Sequence, residues 1–584
     1  MGIRHLETYI CTDVRKGFVS VNIESEIKRH YAEPNPIAPI IVIDLMALYR
    51  PVSSIDFPGL LCGGRFNQVT DLLEQFFGKL QTLRAKLVFF FDGPVQNTKY
   101  DTWVMRQDDK YHKMLNIINA VDTGRDLTWI VNRFHQIIPN NTLYPLFMVA
   151  RKYGETIISI MNECDQEMAA YAKKMKAMAI ISNDTDFMIY EGFWRYWSAK
   201  DINFDTLDTK AYNRVALVKN LGLSFQQMRL FATLGGNDII KYDEVRQFHS
   251  TLGQPRDKFP RLAEFVRSQP LPNRLKIGAV LENLLCRVFG RAAVNDDLKE
   301  RFIASLDFYD TNYEIHHTND SSDPVLDALM KMNQTFCYQV WTDKPVNVTA
   351  YFLDMRKGEF GEHYPSLVIQ LFMRQAGIIL YHKRILSDCS KRTIVIKMSH
   401  EAGYSFQEVS VQFPTHVEPP LLLNMITQQD NDQTNSLEVG VQLYCWIASD
   451  SLDYRRLQPV PEQLWAPVLT LYCLVEKQMI QIVEADTLLQ VAHDVAFRTY
   501  DVKAVSYPTK LAKRPFRIAF LFLKIYNHFN KAGRLLGFEE QPFLLFDGVL
   551  FHNLYAELTD REEKTLDQIK EWRIYADSTG QVKK

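Results

Sequence analysis

The first 240 residues predict an α/β fold built on a mainly parallel sheet, and three observations carry that expectation. Three apolar runs rich in Ile, Val and Phe, PIIVID, KLVFFFD and AMAIISND, end at Asp44, Asp92 and Asp184. Runs this short and unbroken by polar residues read as strands covered on both faces. Amphipathic helical stretches alternate with them. The stretch FNQVTDLLEQFFGKLQTL (66–83) has apolar residues at helical spacing and makes a β-α-β crossover between the first two runs. Each run also ends near an acid, and in open α/β sheets functional groups collect beyond the carboxyl ends of the strands.

At 584 residues the chain has room for two to four domains, and its 47% hydrophobic and 12% aromatic content suits buried cores rather than disorder. A formal charge of −2 argues against coating nucleic acid by bulk charge, so any polyanion site is a local patch. The cysteines at 11, 62, 164, 286, 337, 389, 445 and 473 form no C-x-x-C pair and read as reduced thiols of an intracellular protein. MGIRHLETYICTDVRKG lacks the apolar core of a signal peptide, and position 6 is not the Ser or Thr of a myristoylation pattern. No uncharged apolar stretch reaches the roughly 18 residues of a membrane span. The expectation is a soluble protein of cytoplasm and/or nucleus with no membrane contact.

Residues 98–118 read as a highly charged helix, and the pattern after Asp238 is helical through RLAEFVRSQP and LKIGAVLENLLCRVF. The polar tract YDTNYEIHHTNDSSDP (309–324) reads as a linker. It divides a 1–310 domain with a helical extension from a 325–584 region. In the latter, strand-like pieces (YQVWTD, VTAYFLDM, GIILYHK, RTIVIKM, SFQEVSVQF) precede mainly helical material from about 458, an α+β composition. No internal repeat, Ser-His-Asp pattern, P-loop or G-x-G-x-x-G appears.

Seven acids stand out: Asp44, Asp92, Glu163, Asp165, Asp184, Asp186 and Asp238. Any one Asp at a strand end is more often a helix cap or turn residue. The set is different, because acids converging from several strand ends repel unless a divalent cation sits between them. MGIRHL, IVIDLMALY, VFFFDGP, NECDQEMAAYA, ISNDTDFMIYEG and ATLGGNDI occur in the order seen in flap endonuclease and XPG-type nucleases. Spacings of 21 residues from 163 to 184, 2 from 184 to 186 and 52 from 186 to 238 are also similar to that family's. Within the superfamily, LCGGRF (61–66), LVFFFDG (87–93), DTWVMR (101–106), DTDFMIY (184–190) and LGGNDII (234–240) resemble the constitutive coactivator of PPAR-gamma group, related to the Asteroid proteins.

The resemblance implies a PIN/flap-endonuclease-like nuclease domain over residues 1–310. It implies that Asp44, Asp92, Glu163 and Asp165 hold one Mg²⁺ or Mn²⁺ ion and Asp184, Asp186 and Asp238 a second. Two such ions about 3.5–4 Å apart activate water and stabilise the leaving oxygen of a phosphodiester. Asp165 departs from the family's usual Glu. Lys99 and Arg106, seven residues apart on one helical face, match the family's basic pair that neutralises the scissile phosphate. Gly2 matches its small N-terminus beside the site. After LGGNDI the family's Gly-rich duplex-gripping hairpin is replaced by IKYDEVRQFHSTLGQPRDKF. That shifts the expected substrate from duplex DNA to single strands or RNA.

Residues 510–534 interleave cations with aromatics. Lys513, Arg514 and Arg517 are candidates for binding nucleic acid, although the same pattern fits an amphipathic helix that buries its rings. Leu281-Glu-Asn-Leu-Leu285 matches a receptor-docking L-x-x-L-L motif but reads more readily as core packing, and His316-His317 as a linker pair. Two functional classes remain. The favoured one is a nucleic-acid-binding, RNA-linked regulator or scaffold with possible protein partners through its C-terminal half. The other is a Mg²⁺-dependent 5′-nuclease.

Overall fold

A computed structural model describes residues 2–93, 100–139, 143–159, 163–253, 257–275, 278–312, 323–331, 335–348, 360, 363–386, 393–400, 403–427, 433–539, 541, 543–558 and 569–576. The chain divides into two compact units. The first comprises Met1–Val52, Leu72–Met105 and Val149–His317, and the second Ser53–Asp71, Arg106–Met148 and Thr318–Lys584.

The first unit is built on a seven-stranded sheet of β1 (Phe18–Asn22), β2 (Ile40–Asp44), β3 (Lys86–Asp92), β4 (Glu155–Ser159), β5 (Ala179–Ser182), β6 (Arg195–Ser198) and β7 (Asp208–Tyr212), in the spatial order β1-β7-β6-β5-β2-β3-β4. β6, β5, β2, β3 and β4 run parallel, and β7 and β1 close one side antiparallel. The expected α/β class with a mainly parallel sheet is therefore what the chain adopts. Ile41, Val42 and Ile43 of β2 and Ala179, Ile180 and Ile181 of β5 are fully buried. Continuous apolar runs suit strands with helices on both faces. In register, Asp44 lies opposite Phe90 and Asp92 opposite Ser159, so these acids end their strands at one edge of the sheet.

Past Asp238 the expected helical extension is present as Tyr242–Thr251, Lys258–Arg267, Gly278–Phe289 and Asp296–Phe308. Where the sequence shows no counterpart to a Gly-rich hairpin, two helices, 242–251 and 258–267, follow one another. Leu281, Leu284 and Leu285 are buried in this unit's core, which accounts for the L-x-x-L-L pattern as packing. The linker assignment for 309–324 needs correction at its start. Tyr309 and Thr311 are buried, Asp310 takes a 2.7 Å bond from Arg229, and Lys173 Nζ reaches Thr311 and Asn312 at 3.0 and 2.9 Å. Residues 313–322, His316 and His317 among them, lie outside the described residues.

The second unit has a small sheet of β8 (Val346–Val348), β9 (Thr393–His400) and β10 (Gly403–Ser410), ordered β10-β9-β8, among many helices. RTIVIKM and SFQEVSVQF are strands as expected, whereas YQVW lies in helix Thr335–Trp341 and GII ends helix His363–Ile379. Short apolar runs are ambiguous between strand and buried helix, and here burial of Cys337, Tyr338, Val340, Ile378 and Ile379 satisfies the helical form. Two segments of the N-terminal half, 53–71 and 106–148, belong to this unit because Leu60, Leu61, Ile117, Val121 and Ile130 share a core with Phe516, Phe520 and Val549. Among the described residues, no helix is long and apolar enough to cross a membrane.

LCGGRF explains part of this grouping. Arg65 Nε donates to Asp547 Oδ2 at 3.1 Å, with both side chains buried, and Tyr500 donates to the same oxygen at 2.8 Å. The other oxygen of Asp547 caps helix Gly548–Ala556 by accepting from Val549 and Leu550 N–H at 2.9 and 3.0 Å. Gly548 N–H donates to the Gly64 carbonyl at 2.8 Å, and Gly63 and Gly64 both have positive φ (118° and 111°), which favours glycine at these positions. Arg65→Ala strands the Asp547 charge, and chemical denaturation of the second unit is expected to register a loss of about 3–5 kcal/mol.

Candidate metal centre

Strand ends and the turns after them position the acids. β2 ends at Asp44, whose Oδ1 accepts from Ala47 N–H at 3.1 Å and so caps the following helix, while Oδ2 accepts from Ser182 Oγ at 2.6 Å. β5 ends at Ser182 and passes through Asn183 and Asp184 into the 3₁₀ turn Thr185–Met188. Asp184 Oδ1 caps that turn by accepting from Asp186 N–H at 3.0 Å. Glu163 stands at the N-cap of helix Cys164–Lys174 without a side-chain capping bond, and Asp165 lies in the first turn.

Asp165, Asp184 and Asp186 each offer a carboxylate oxygen, and the three oxygens lie within 4.8 Å of one another. Asp186 is buried; the other two are half-buried. Three hard oxygens at this separation suit a divalent cation of the Mg²⁺ or Ca²⁺ type. Asp44 and Asp92 belong to the same electrostatic field. Burial pushes the Asp44 carboxyl up to about 7, the Ser182 and Ala47 hydrogen bonds oppose this, and the charges of Asp92 and Asp184 add to it. The Cys164 thiol is raised by burial and then by Asp92, Asp165 and Asp44.

Not every expected ligand joins the group. Asp238 sits half-buried in the loop after helix Phe225–Gly235 and is not one of the three grouped acids. Its neighbour Asn237 organises that loop. Asn237 Oδ1 accepts from Ile239 and Ile240 N–H at 3.0 and 2.8 Å, and Nδ2 donates to Ser305 Oγ at 2.8 Å and Tyr309 Oη at 3.3 Å. Lys99 lies outside the described residues. Arg106 lies on helix Tyr100–Asp122, in the part that belongs to the second unit. Gly2 is close to the acids: a Cβ there would stand 2.4 Å from Asp184 Oδ1 and Thr185 Oγ1, and Ile3 N–H donates to Thr185 Oγ1 at 2.8 Å.

Three contributors escaped sequence reasoning. Ser182 donates to Asp44 and accepts from Asp184 N–H at 3.1 Å, and its position directly before NDTD was the available signal. Asn237 stood in the LGGND block beside the acid taken as the ligand. Tyr309 Oη donates to Asp186 Oδ1 at 2.8 Å from a polar tract that carries no such signal. Burial and then the Asp186 charge hold the Tyr309 phenol well above its usual range, so it remains a donor.

Lys513, Arg514 and Arg517, the candidates for binding nucleic acid, each face a carboxylate. Arg514 pairs with Glu484 at 2.8 Å, Arg517 with Asp122 at 2.8 Å, and Lys513 lies 3.9 Å from that second carboxylate. Phe516, Phe520, Phe522, Tyr526 and Phe529 are buried, which is the amphipathic-helix alternative.

The sheet and its acids define an α/β domain with a carboxylate group at the carboxyl edge of its parallel strands. The chain is similar to the constitutive coactivator of peroxisome proliferator-activated receptor gamma, with 28% identity over 244 residues to the Bos taurus protein (41% of this chain, 33% of that one) and 28% over 244 residues to the human protein (41% and 26%). It is also similar to human constitutive coactivator of PPAR-gamma-like protein 1, at 20% over 307 residues (51% and 25%). The chain thus aligns with a third or less of the length of these relatives. No protein-family model matches. Solved structures that align include the catalytic core of Rad2 in complex with DNA substrate (17% identity, 58% of this chain and 93% of that chain, TM-score 0.31). Human GEN1 in complex with Holliday junction DNA also aligns (14%, 71% and 88%, TM-score 0.32).

Two outcomes are expected at this centre. The raised Asp44 carboxyl keeps in the folded state a proton that the unfolded chain releases between about pH 4 and 7. Its contribution therefore destabilises the fold as pH rises through that window. With chelator present, melting temperatures measured from pH 5 to 8 should fall less steeply for Asp44→Asn than for wild type. Gly2→Ala, which drives a methyl into Asp184 and Thr185, should weaken Mn²⁺ binding measured by calorimetry by about tenfold or more.

Proposed function

We propose that this chain is a nucleic-acid-binding regulator or scaffold whose first unit holds a divalent cation, Mg²⁺ or Mn²⁺, at Asp165, Asp184 and Asp186, with RNA or single strands as its nucleic acid. The observation that carries the reading is the three-oxygen group within 4.8 Å at the carboxyl edge of a parallel sheet. A cation there would supply a positive charge to which phosphate oxygens can bind in an otherwise anionic region. The coactivator names of the similar proteins support the regulatory half of the reading and a role in protein interaction. The near-neutral net charge and the absence of the Gly-rich hairpin pattern favour single strands or RNA over duplex.

A second reading is a Mg²⁺-dependent 5′-nuclease. It is favoured by Asp44 and Asp92, which act on the same field as the triad and bring its acids toward the number that a pair of ions takes.

One set of measurements separates the two. Full-length wild type and Asp184→Ala plus Asp186→Ala are tested for Mn²⁺ binding, for binding of single-stranded RNA, and for cleavage of labelled single-stranded RNA, DNA and flap substrates in Mg²⁺ or Mn²⁺. The proposal expects Mn²⁺ binding lost in the double variant and RNA bound without cleavage. Cleavage by wild type alone establishes the nuclease, equal products from both proteins exclude this site as a nuclease, and failure to bind either Mn²⁺ or RNA overturns the proposal.

A further inference from the structure

β1 forms one outer side of the seven-stranded sheet, and among the described residues β7 is the strand paired with it. Its sequence, FVSVN, carries no charge and no proline, and its five residues keep an unbroken register with Asp208–Tyr212. Phe18, Val19 and Ser20 are exposed, Phe18 at 37% and Val19 at 49%, while Val21 and Asn22 are half-buried. Outer strands are usually blunted by charge, proline or a bulge, because their open main-chain groups recruit another strand. The opposite side of the sheet has such a guard: β4 begins with Glu155, the one exposed residue of that strand.

The groups that β1 turns outward follow from its bonds to β7. The Gly17 carbonyl accepts from Asn213 N–H at 2.7 Å and Ile23 N–H donates to the Leu207 carbonyl at 2.9 Å, both in line with the β1–β7 register. Bonded and non-bonded pairs alternate along an antiparallel ladder. Positions 17, 19, 21 and 23 therefore face β7, and Phe18, Ser20 and Asn22 turn their main-chain groups to the open side. Asn22 is also the N-cap of helix Ile23–Tyr31, accepting from Ser25 N–H at 3.0 Å, so its carbonyl starts that helix. Phe18 and Ser20 thus offer both a donor and an acceptor, and Asn22 offers its N–H.

These outward positions are symmetric about Ser20. We propose that β1 pairs antiparallel with β1 of a second copy of this chain, Ser20 opposite Ser20. In that register the two Ser20 residues exchange both bonds, Asn22 N–H of each copy donates to the Phe18 carbonyl of the other, and Val19 faces Val21 as a closely spaced pair. Charge favours a second copy as the occupant. Position 16 falls opposite position 24, so the exposed Arg15 and Lys16 of each copy approach Glu24 of the other. Glu24 already pairs with Lys28 at 2.6 Å, and a carboxylate has lone pairs for more than one cation. β1 runs in the same direction as β2, so the acid-bearing edges of the two joined sheets point opposite ways. A five-residue pairing falls short of the roughly 1,000 Å² of a standing interface, so the dimer forms and dissolves with concentration.

The test is sedimentation velocity on the full chain, with chelator present so that metal bridging does not contribute. A series rising to about 1 mM protein should show reversible exchange between monomer and dimer. Ser20→Pro removes an N–H that β7 does not use, and Val19→Lys sets a charge on the outer strand; each should lose the dimer while circular dichroism is unchanged, and the second serves if the first does not fold. Lys16→Glu and Glu24→Lys should each weaken association by about fivefold, and the two combined should restore it. Oxidative cross-linking reads the register. Opposite residues of a bonded pair have Cα atoms about 5.5 Å apart, within disulfide reach, so Ser20→Cys should give a covalent dimer, whereas Phe18→Cys, opposite Asn22, should not exceed wild type. A monomer throughout the series, a dimer untouched by both Ser20→Pro and Val19→Lys, no recovery in the charge-exchanged double variant, or equal cross-linking at positions 18 and 20 would each overturn the proposal.

Discussion

Carboxylates held a few ångströms apart repel one another, and the first unit is arranged around that constraint. Parallel strands in register deliver Asp44 and Asp92 to one edge of the sheet, and the turn after β5 adds Asp184 and Asp186. The opposition is met with donors: Ser182 and Ala47 N–H on Asp44, Asp186 N–H on Asp184, and the Tyr309 phenol on Asp186. Neutral donors offset part of the repulsion without cancelling charge. The same side chains act as helix caps and as candidate ligands. The cap reading of a strand-end Asp is realised at both Asp44 and Asp184, and Asp184 also belongs to the three-oxygen group.

The second unit meets its own buried charges with closed networks. Arg65 and Asp547, nearly 500 positions apart in sequence, neutralise each other, and Tyr500 and the cap of helix Gly548–Ala556 use the remaining lone pairs of the acid. Glu484 is similarly enclosed by Arg514 and Tyr555, and Asp486 by Arg573 and Tyr575.

Much of the first unit was legible because its signals are local. Unbroken apolar runs marked β2, β3 and β5, and acids at their ends marked the edge where chemistry collects. The L-x-x-L-L segment likewise read correctly as core. What escaped was non-local. Tyr309 meets Asp186 across 123 residues, and a tract rich in Asp, Asn, Ser and Thr has the composition of a linker whether or not its first residues are pinned down. YQVW and GII were taken for strands because short apolar runs carry no period that separates strand from buried helix. The basic–aromatic stretch at 510–534 was ambiguous for another reason. Sequence shows that a cation is present, but its counter-charge, Asp122 or Glu484, comes from elsewhere in the chain.

The anchoring of Tyr309 also sets where the last segment of the first unit can end, whereas Ser53–Asp71 and Arg106–Met148 belong with the second unit. A fragment that stops at Phe308 would discard the phenol, leave Asn237 without one of its contacts and open Asp186 to solvent. A boundary placed beyond Asn312 keeps the Arg229 and Lys173 tethers together with the centre they support. Dissection guided by composition alone would cut inside the very structure it meant to isolate.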